Sequence, residues 1–302
     1  MKRWVKRFLV RGVFWRRLLH FGVLNCPPFL EPVSMAWWSL FFLMWGPVRR
    51  GVMRNLSAIK PGSWRMANFF RAYRVFWNFA WTIADAVRFK ELGTTPDWQF
   101  AGLDHIRELQ SHPGGAIIIT AHMGSYDLAA HVFSATSDRR IVMVRAPETD
   151  PETQQFEAEQ HGQRGRQSLR IDFNVNSTDL AIELLHAIGR GELVAIQADR
   201  VTPGIGRLTV DFFGRPAPMP TGPFALAMAA RVPIYPVFIV RSGRRRYILQ
   251  ACPPIVVERR SRNREEDLRP AMEAWSRQLE QVVRTHWHQW FAFEPFDEKA
   301  AV

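Results

Sequence analysis

The feature that most narrows the fold of this chain is a set of short β-branched runs, set apart by turns and helical stretches, that begins after Pro96. Residues 116–120 (AIIIT) follow the turn-forming His112-Pro-Gly-Gly115, and residues 141–145 (IVMVR) and 193–197 (LVAIQ) repeat the type. Residues 234–240 (IYPVFIV) and 246–251 (RYILQA) complete the set. Runs of this length, rich in Ile and Val and bounded by turn residues, read as strands. Residues 180–188 and 222–230 between them read as helices, and a long helix over 264–290 carries Met272, Trp275, Leu279 and Val282 on one side. Strands alternating with helices predict an α/β fold, a mixed central sheet flanked by helices. A chain of 302 residues is long enough to bury such a core.

Before Pro96 the pattern is helical. The N-terminal MKRWVKRFLVRGVFWRRLLHFGVL interleaves cations with large apolar groups, among them Trp4, Phe8, Arg11 and Trp15. Apolar stems suit acyl chains and basic heads suit phosphates, so the stretch reads as an interfacial amphipathic helix. An amphipathic core helix would carry the same pattern. Residues 32–48 (PVSMAWWSLFFLMWGPV) hold no charge, yet they fall short of the roughly 20 residues that span a bilayer. Trp37, Trp38 and Trp45 suit the headgroup boundary; a short or re-entrant anchor and a buried helix both fit. No small-residue cleavage site follows, which argues against a cleaved signal peptide. Residues 49–89 read as helical, with residues 55–57 and Pro61-Gly62 marking a turn. Phe69, Tyr73, Phe76, Trp77 and Ala80 recur at three- and four-residue steps and read as core. The chain thus divides into a helical, membrane-associating region over 1–95 and an α/β domain over 96–302.

Lys and Arg number 40 against 28 Asp and Glu, a net charge of +12. Such an excess calls for an anionic partner: nucleic acid, an acidic protein or anionic lipid. No nucleic-acid-binding motif is present, and the N-terminal cations alternate with Trp, Phe and Leu. That mixture favours an anionic membrane surface and no nucleic acid. The two cysteines, Cys26 and Cys252, exclude a disulfide framework and a Cys-rich zinc site. No metal and no other cofactor is expected.

The segment that carries chemistry is Thr120-Ala-His-Met-Gly-Ser-Tyr-Asp127. His122 falls at a strand end, where α/β folds place ligands, and Asp127 about one turn into the helix that follows. On one continuous helix that spacing would turn the two side chains apart. Across a strand-to-helix turn eased by Gly124 they can converge. A carboxylate on one imidazole nitrogen fixes the tautomer and leaves the other to accept a proton. Such a pair deprotonates an alcohol as it attacks an ester or thioester, typically for about a hundred- to ten-thousand-fold in rate. A histidine capping a helix in a loop would show the same HxxxxD spacing, so the spacing alone does not decide.

Downstream, residues 211–222 read Asp-Phe-Phe-Gly-Arg-Pro-Ala-Pro-Met-Pro-Thr-Gly and residues 232–239 read Val-Pro-Ile-Tyr-Pro-Val-Phe-Ile. In this order behind His122 and Asp127, the chain resembles the lysophospholipid acyltransferase superfamily. More closely, it resembles the bacterial lipid A biosynthesis (lauroyl/myristoyl) acyltransferase branch, from residues 50–57 to His286-Trp-His-Gln-Trp290. The resemblance implies a glycerolphosphate-acyltransferase-like α/β fold preceded by the helical membrane-binding region. It implies transfer of a fatty acyl group from acyl carrier protein or acyl-coenzyme A to a hydroxyl of a membrane lipid or glycolipid, such as a lipid A precursor. The place implied is the cytoplasmic face of a bacterial inner membrane.

On this resemblance His122 is the general base and Asp127 its orienting partner. Arg145 at a strand end, Arg164 (with Arg166) in Gln163-Arg-Gly-Arg-Gln167, and Arg200 are the implied substrate contacts, since a guanidinium fork suits phosphate. Asp199 reads as a brace for Arg200. Backbone amides near Gly124 or Arg200 are candidate oxyanion donors. Ser125 belongs to the floor of the site, and Gly214 and Thr221 help shape the substrate pocket. Gly214 and Thr221-Gly222 also read as turn and helix start, with Thr221 the N-cap and Pro223 the first helical residue. Phe212 and Phe213 fit an acyl channel and core packing equally.

Where that branch usually has His-x-Gly-Asn-Trp-Glu, this chain has His-Met-Gly-Ser-Tyr-Asp. The carboxylate stays, one methylene shorter, while Ser-Tyr changes the floor of the site. The acceptor therefore stays open among lipid A precursors, ornithine lipids, glycolipids, other aminolipids and a lipid-linked pigment. An N-acyl or lysophospholipid acyltransferase on the same fold is the nearest rival. A non-catalytic basic membrane-binding protein has no need of a carboxylate behind His122, and a hydrolase would lack the Gly-x-Ser-x-Gly elbow.

Overall fold

The computed structural model describes residues 13–125, 128, 139–145, 169–173, 178–202 and 204–297. Seven strands form one sheet: β1 (Asp97–Ala101), β2 (Ala116–Thr120), β3 (Ile141–Arg145), β4 (Leu169–Phe173), β5 (Leu193–Gln197), β8 (Ile234–Gly243) and β9 (Arg246–Ala251). Their spatial order is β1-β9-β8-β2-β5-β3-β4. All neighbours run parallel except β8 and β9, which form an antiparallel pair. The sheet is therefore mixed and mostly parallel, as the strand-and-helix alternation predicts. A separate antiparallel hairpin joins β6 (Arg207–Phe212) to β7 (Arg215–Pro220).

The helices are α1 (Val13–Asn25), α2 (Glu31–Met44), α3 (Gly46–Ile59), α4 (Arg65–Leu92), α5 (Leu103–Ser111), α6 (Thr178–Gly189), α7 (Gly222–Ala230) and α8 (Arg264–His286). They explain why β2 is apolar throughout. Ile117 and Ile119 point into a cluster with Leu184 of α6, Phe224 of α7, and Met272, Trp275 and Leu279 of α8. Ala116 and Ile118 point the other way, into a cluster with Ile106 and Leu109 of α5. A parallel strand covered on both faces needs no polar side, so its sequence reads as a continuous run. Each isoleucine buried this way contributes about 1.5–3 kcal/mol.

All the sequence-predicted strands are present. Those that pattern did not reveal have physical reasons for being hidden. β1 and β4 are the two edges of the sheet, and in DWQFA and LRIDF charged and polar residues interrupt the apolar ones, so neither forms a continuous run like that of β2. In β7, Pro216, Pro218 and Pro220 face Asp211, Thr209 and Arg207. At every second position their missing N–H groups fall on the side of the strand not bonded to β6, which is where a strand tolerates proline.

The turn expected at residues 55–57 does not form; α3 runs through it, and the chain turns between Lys60 and Ser63. Asn55 is buried in mid-helix. Its amide donates to the carbonyls of Ala292 and Glu294, each at 2.9 Å, and accepts from the Phe296 N–H at 3.2 Å. A residue that looks like a turn former locally is used here for a long-range clasp. One turn earlier, a Cβ on Gly51 would stand 2.0 Å from the Phe293 carbonyl oxygen, so glycine is required there. The last helix is shorter than expected, ending at His286 and passing into a 3-10 turn over Trp287–Gln289. The segment that follows thus lies across α3, and Phe291 shares a core with Leu43, Leu56 and Phe76.

Residues 1–12, the front of the expected interfacial helix, lie outside the described residues. α2 has one buried side, Met35, Ser39 and Leu43, and its first residue, Glu31, is buried and pairs with Arg88 at 2.8 Å and with Arg244. Among the described residues, no helix is long and apolar enough to cross a membrane.

Candidate active site

Strand register builds the site. Thr120 pairs with Gln197 across the parallel β2–β5 contact, and Ala198 N–H continues the ladder to Thr120 O at 2.9 Å. Two residues beyond that pair, both strands have ended, and His122 and Asp199 emerge side by side. His122 Nδ1 lies 2.6 Å from Asp199 Oδ1, and the His122 backbone N–H donates to Asp199 Oδ2 at 3.2 Å. One carboxylate thus grips both the ring and the main chain of the same histidine.

Asp199 is fully enclosed. Trp290 Nε1–H donates to its Oδ2 at 3.0 Å. Trp275, stacked on Phe238, holds the preceding carbonyl of Ala198 at 3.0 Å. Burial by itself would raise the Asp199 pKa. The attraction and hydrogen bond of the His122 ring, the charge of Arg200 and the Trp290 hydrogen bond outweigh it and hold the carboxyl well below its usual range. Arg200 Nε also stands 3.0 Å from His122 Nδ1. One ring nitrogen cannot both donate to Asp199 and accept from Arg200. The shorter, charge-assisted contact to Asp199 takes the proton, and Arg200 remains beside the pair as positive charge. The neutral tautomer that donates from Nδ1 carries its lone pair on Nε2.

The backbone around His122 is held from two more directions. Phe291 N–H donates to His122 O at 2.8 Å, so the clasp on Asn55 reaches the site. Gly124 has φ +49, and a Cβ there would stand 2.3 Å from Ile239 O on β8. Only glycine lets the loop after β2 turn against the neighbouring strand.

His122 lines a cavity of about 780 Å³ between α6 and α7. Leu180, Leu184, Leu226 and Met228 give it apolar walls, and Arg200 stands at its rim with His122. A chain that puts a histidine–carboxylate pair beside an apolar pocket of this size can hold an aliphatic substrate against a base. Residues 66–295 match the model of the bacterial lipid A biosynthesis acyltransferase family. The chain belongs to that family. No curated protein gives a significant match.

The protein is therefore an acyltransferase that works on lipid. Its sequence-predicted site residues are only partly brought together. His122, Arg200 and Thr221 all line the 780 Å³ cavity, and Gly124 and the buried Ser125 sit directly after His122. Arg145 ends β3 beside the cavity-lining Val144; its side chain lies outside the described residues, as do Arg164, Arg166 and Asp127. Gly214 sits in the β6–β7 turn with φ +69 and does not line this cavity. Thr221 occupies the N-cap position of α7, but its backbone is already helical and its hydroxyl makes no capping bond. The helix begins at Gly222, which moves Pro223 to its second position. Phe212 and Phe213 are both core residues of the acyltransferase.

Asp199 is the site residue whose role sequence reasoning missed. It grips His122, 77 positions away, where the sequence suggested a brace for Arg200. A signal exists, since the strand ends read Thr120-Ala-His122 and Gln197-Ala-Asp199. It becomes legible once β2 and β5 are known to be parallel neighbours in that register.

Proposed function

We propose that this acyltransferase moves a fatty acyl group from a thioester, on acyl carrier protein or coenzyme A, to a hydroxyl of a membrane lipid, with His122 as general base. The observation that carries the reading is the His122–Asp199 pair at the rim of the apolar cavity. His122 Nε2 takes the hydroxyl proton while the oxygen attacks the thioester carbonyl. As the tetrahedral intermediate collapses, the C–S bond breaks and the imidazolium returns the proton to the departing sulfur. Asp199 holds the ring and balances its charge throughout. The decisive comparison is of lipid extracts by mass spectrometry from cells with and without the protein. A species heavier by one acyl residue, present only with the protein, is expected, and it identifies acceptor and chain length together. Matching profiles despite good expression would overturn the reading.

The acyl chain lies in the cavity between α6 and α7. Ala225 lines it, and Ala225→Trp is expected to shift the preferred donor to a shorter chain, read as kcat/KM across a series of acyl thioesters. An unchanged preference with a filled cavity would place the chain elsewhere.

The surface of α2 supports a membrane-docking role. Val33, Trp37, Leu40 and Met44 form one exposed row, from 48% to 74% accessible, at three- and four-residue steps opposite the buried side. Fourteen residues make a helix of about 21 Å, too short for a hydrocarbon core of about 30 Å, so the helix lies along the bilayer. Trp37→Asp with Met44→Asp is expected to lower flotation with anionic vesicles severalfold. Flotation equal to wild type would remove α2 from the membrane contact.

A further inference from the structure

A second cavity, of about 920 Å³, opens beside the first and shares Arg200, Thr202 and Ile205 with it. The walls differ. The first is apolar between two helices, whereas the second carries Arg200, Arg207, Glu294 and Asp297 alongside Trp290 and Phe296. Its acids are not equivalent. Asp297 is buried and already bound to Arg54 at 2.9 Å and Arg215 at 3.1 Å. Asp199, also in this wall, is committed to His122. Arg207, at the start of β6, is exposed and makes no side-chain hydrogen bond or ion pair among the described residues. With those two acids neutralised, the cavity offers an uncommitted guanidinium in the same walls as Arg200, and Glu294 is its exposed acid.

We propose that this second cavity receives the polar headgroup of the acceptor lipid where it carries a phosphomonoester, with Arg207 binding that phosphate. The proposal rests on the acyltransferase reading. An acyl chain in the first cavity brings the thioester carbon to His122, so the acceptor must reach that carbon from another space. The cavity that meets the first at Arg200 is such a space. A guanidinium fork matches phosphate oxygens in pairs. Glu294 accepts from a hydroxyl or ammonium of the same headgroup, and the half-buried Phe296 ring in the wall offers an apolar face to its carbon skeleton. The donor also carries a phosphate, on its pantetheine arm, and the experiment separates the two sources.

The assay uses the purified full chain with dodecanoyl-coenzyme A as donor. The acceptor is a total bacterial lipid extract, untreated or stripped of phosphomonoesters by alkaline phosphatase. Wild type is expected to lose about tenfold in transfer on the stripped extract, the size expected for one lost charge-assisted contact. Arg207→Ala is expected to show that lower rate on both extracts, Arg207→Lys to recover part of the difference, and the donor KM to stay unchanged. Transfer by wild type that ignores the phosphatase treatment overturns this inference and leaves acyl transfer standing. A raised donor KM in Arg207→Ala overturns it in favour of the donor's phosphate. No transfer by wild type on either extract overturns the acyltransferase reading and this inference with it.

Discussion

His122→Ala is expected to reduce acyl transfer by at least a hundredfold and toward ten-thousand-fold, the range that general-base assistance supplies. The side chain is a quarter exposed and packs no core, so the variant keeps its fold, with a circular dichroism spectrum like that of wild type. In cells, the acylated lipid disappears from the extract. A variant within tenfold of wild type would mean that the proton leaves by another route, and the role of the Asp199 pair would have to be reconsidered.

Asp199→Asn is expected to cost about a thousandfold or more, because an amide offers an N–H as readily as an oxygen to Nδ1 and no longer specifies the productive tautomer. The companion Asp127→Asn separates the two carboxylates. Should Asp127→Asn abolish activity while Asp199→Asn is nearly neutral, the pairing assigned to Asp199 is wrong. Trp290→Phe keeps an aromatic ring and removes one donor to Asp199 Oδ2, and about a tenfold loss is expected. The pH dependence has a definite sign. The Asp199 pKa is depressed in the folded protein, so its stabilising contribution is fully present above the unfolded carboxylate value of about 3.9. It is lost only as pH falls through the lower folded value. The difference in melting temperature between wild type and Asp199→Asn should therefore shrink as the pH falls below about 4. A difference that stays constant on acidification to about pH 2 would show that the folded state does not hold Asp199 ionised.

What pattern reveals depends on how local its cause is. β2, β3, β5 and β8 are legible because strands buried on both faces must be apolar, and β9 because its buried positions alternate, each a property of the run by itself. The helix of residues 222–230 is legible to its ends, since a Thr-Gly-Pro start and a turn before Val232-Pro bound it on both sides. The edge strands β1 and β4 and the proline-bearing β7 are not, because their identity depends on which neighbour supplies hydrogen bonds. Asn55 shows the same limit in a single residue. In the sequence it is a turn former, and in the fold it is the clasp for the C-terminal segment.

By itself, the sequence determined the α/β class, the family motifs, His122 at a strand end, and the basic, aromatic character of the N-terminal helices. All of these are written in residues near one another in the chain. The tertiary structure decided that Asp199 grips His122, that Trp290 and Phe291 brace the pair, and that two cavities of different polarity meet at Arg200. The physical reason is strand register. The β2–β5 pairing carries two side chains 77 positions apart to within 2.6 Å, and no spacing along the chain encodes that distance.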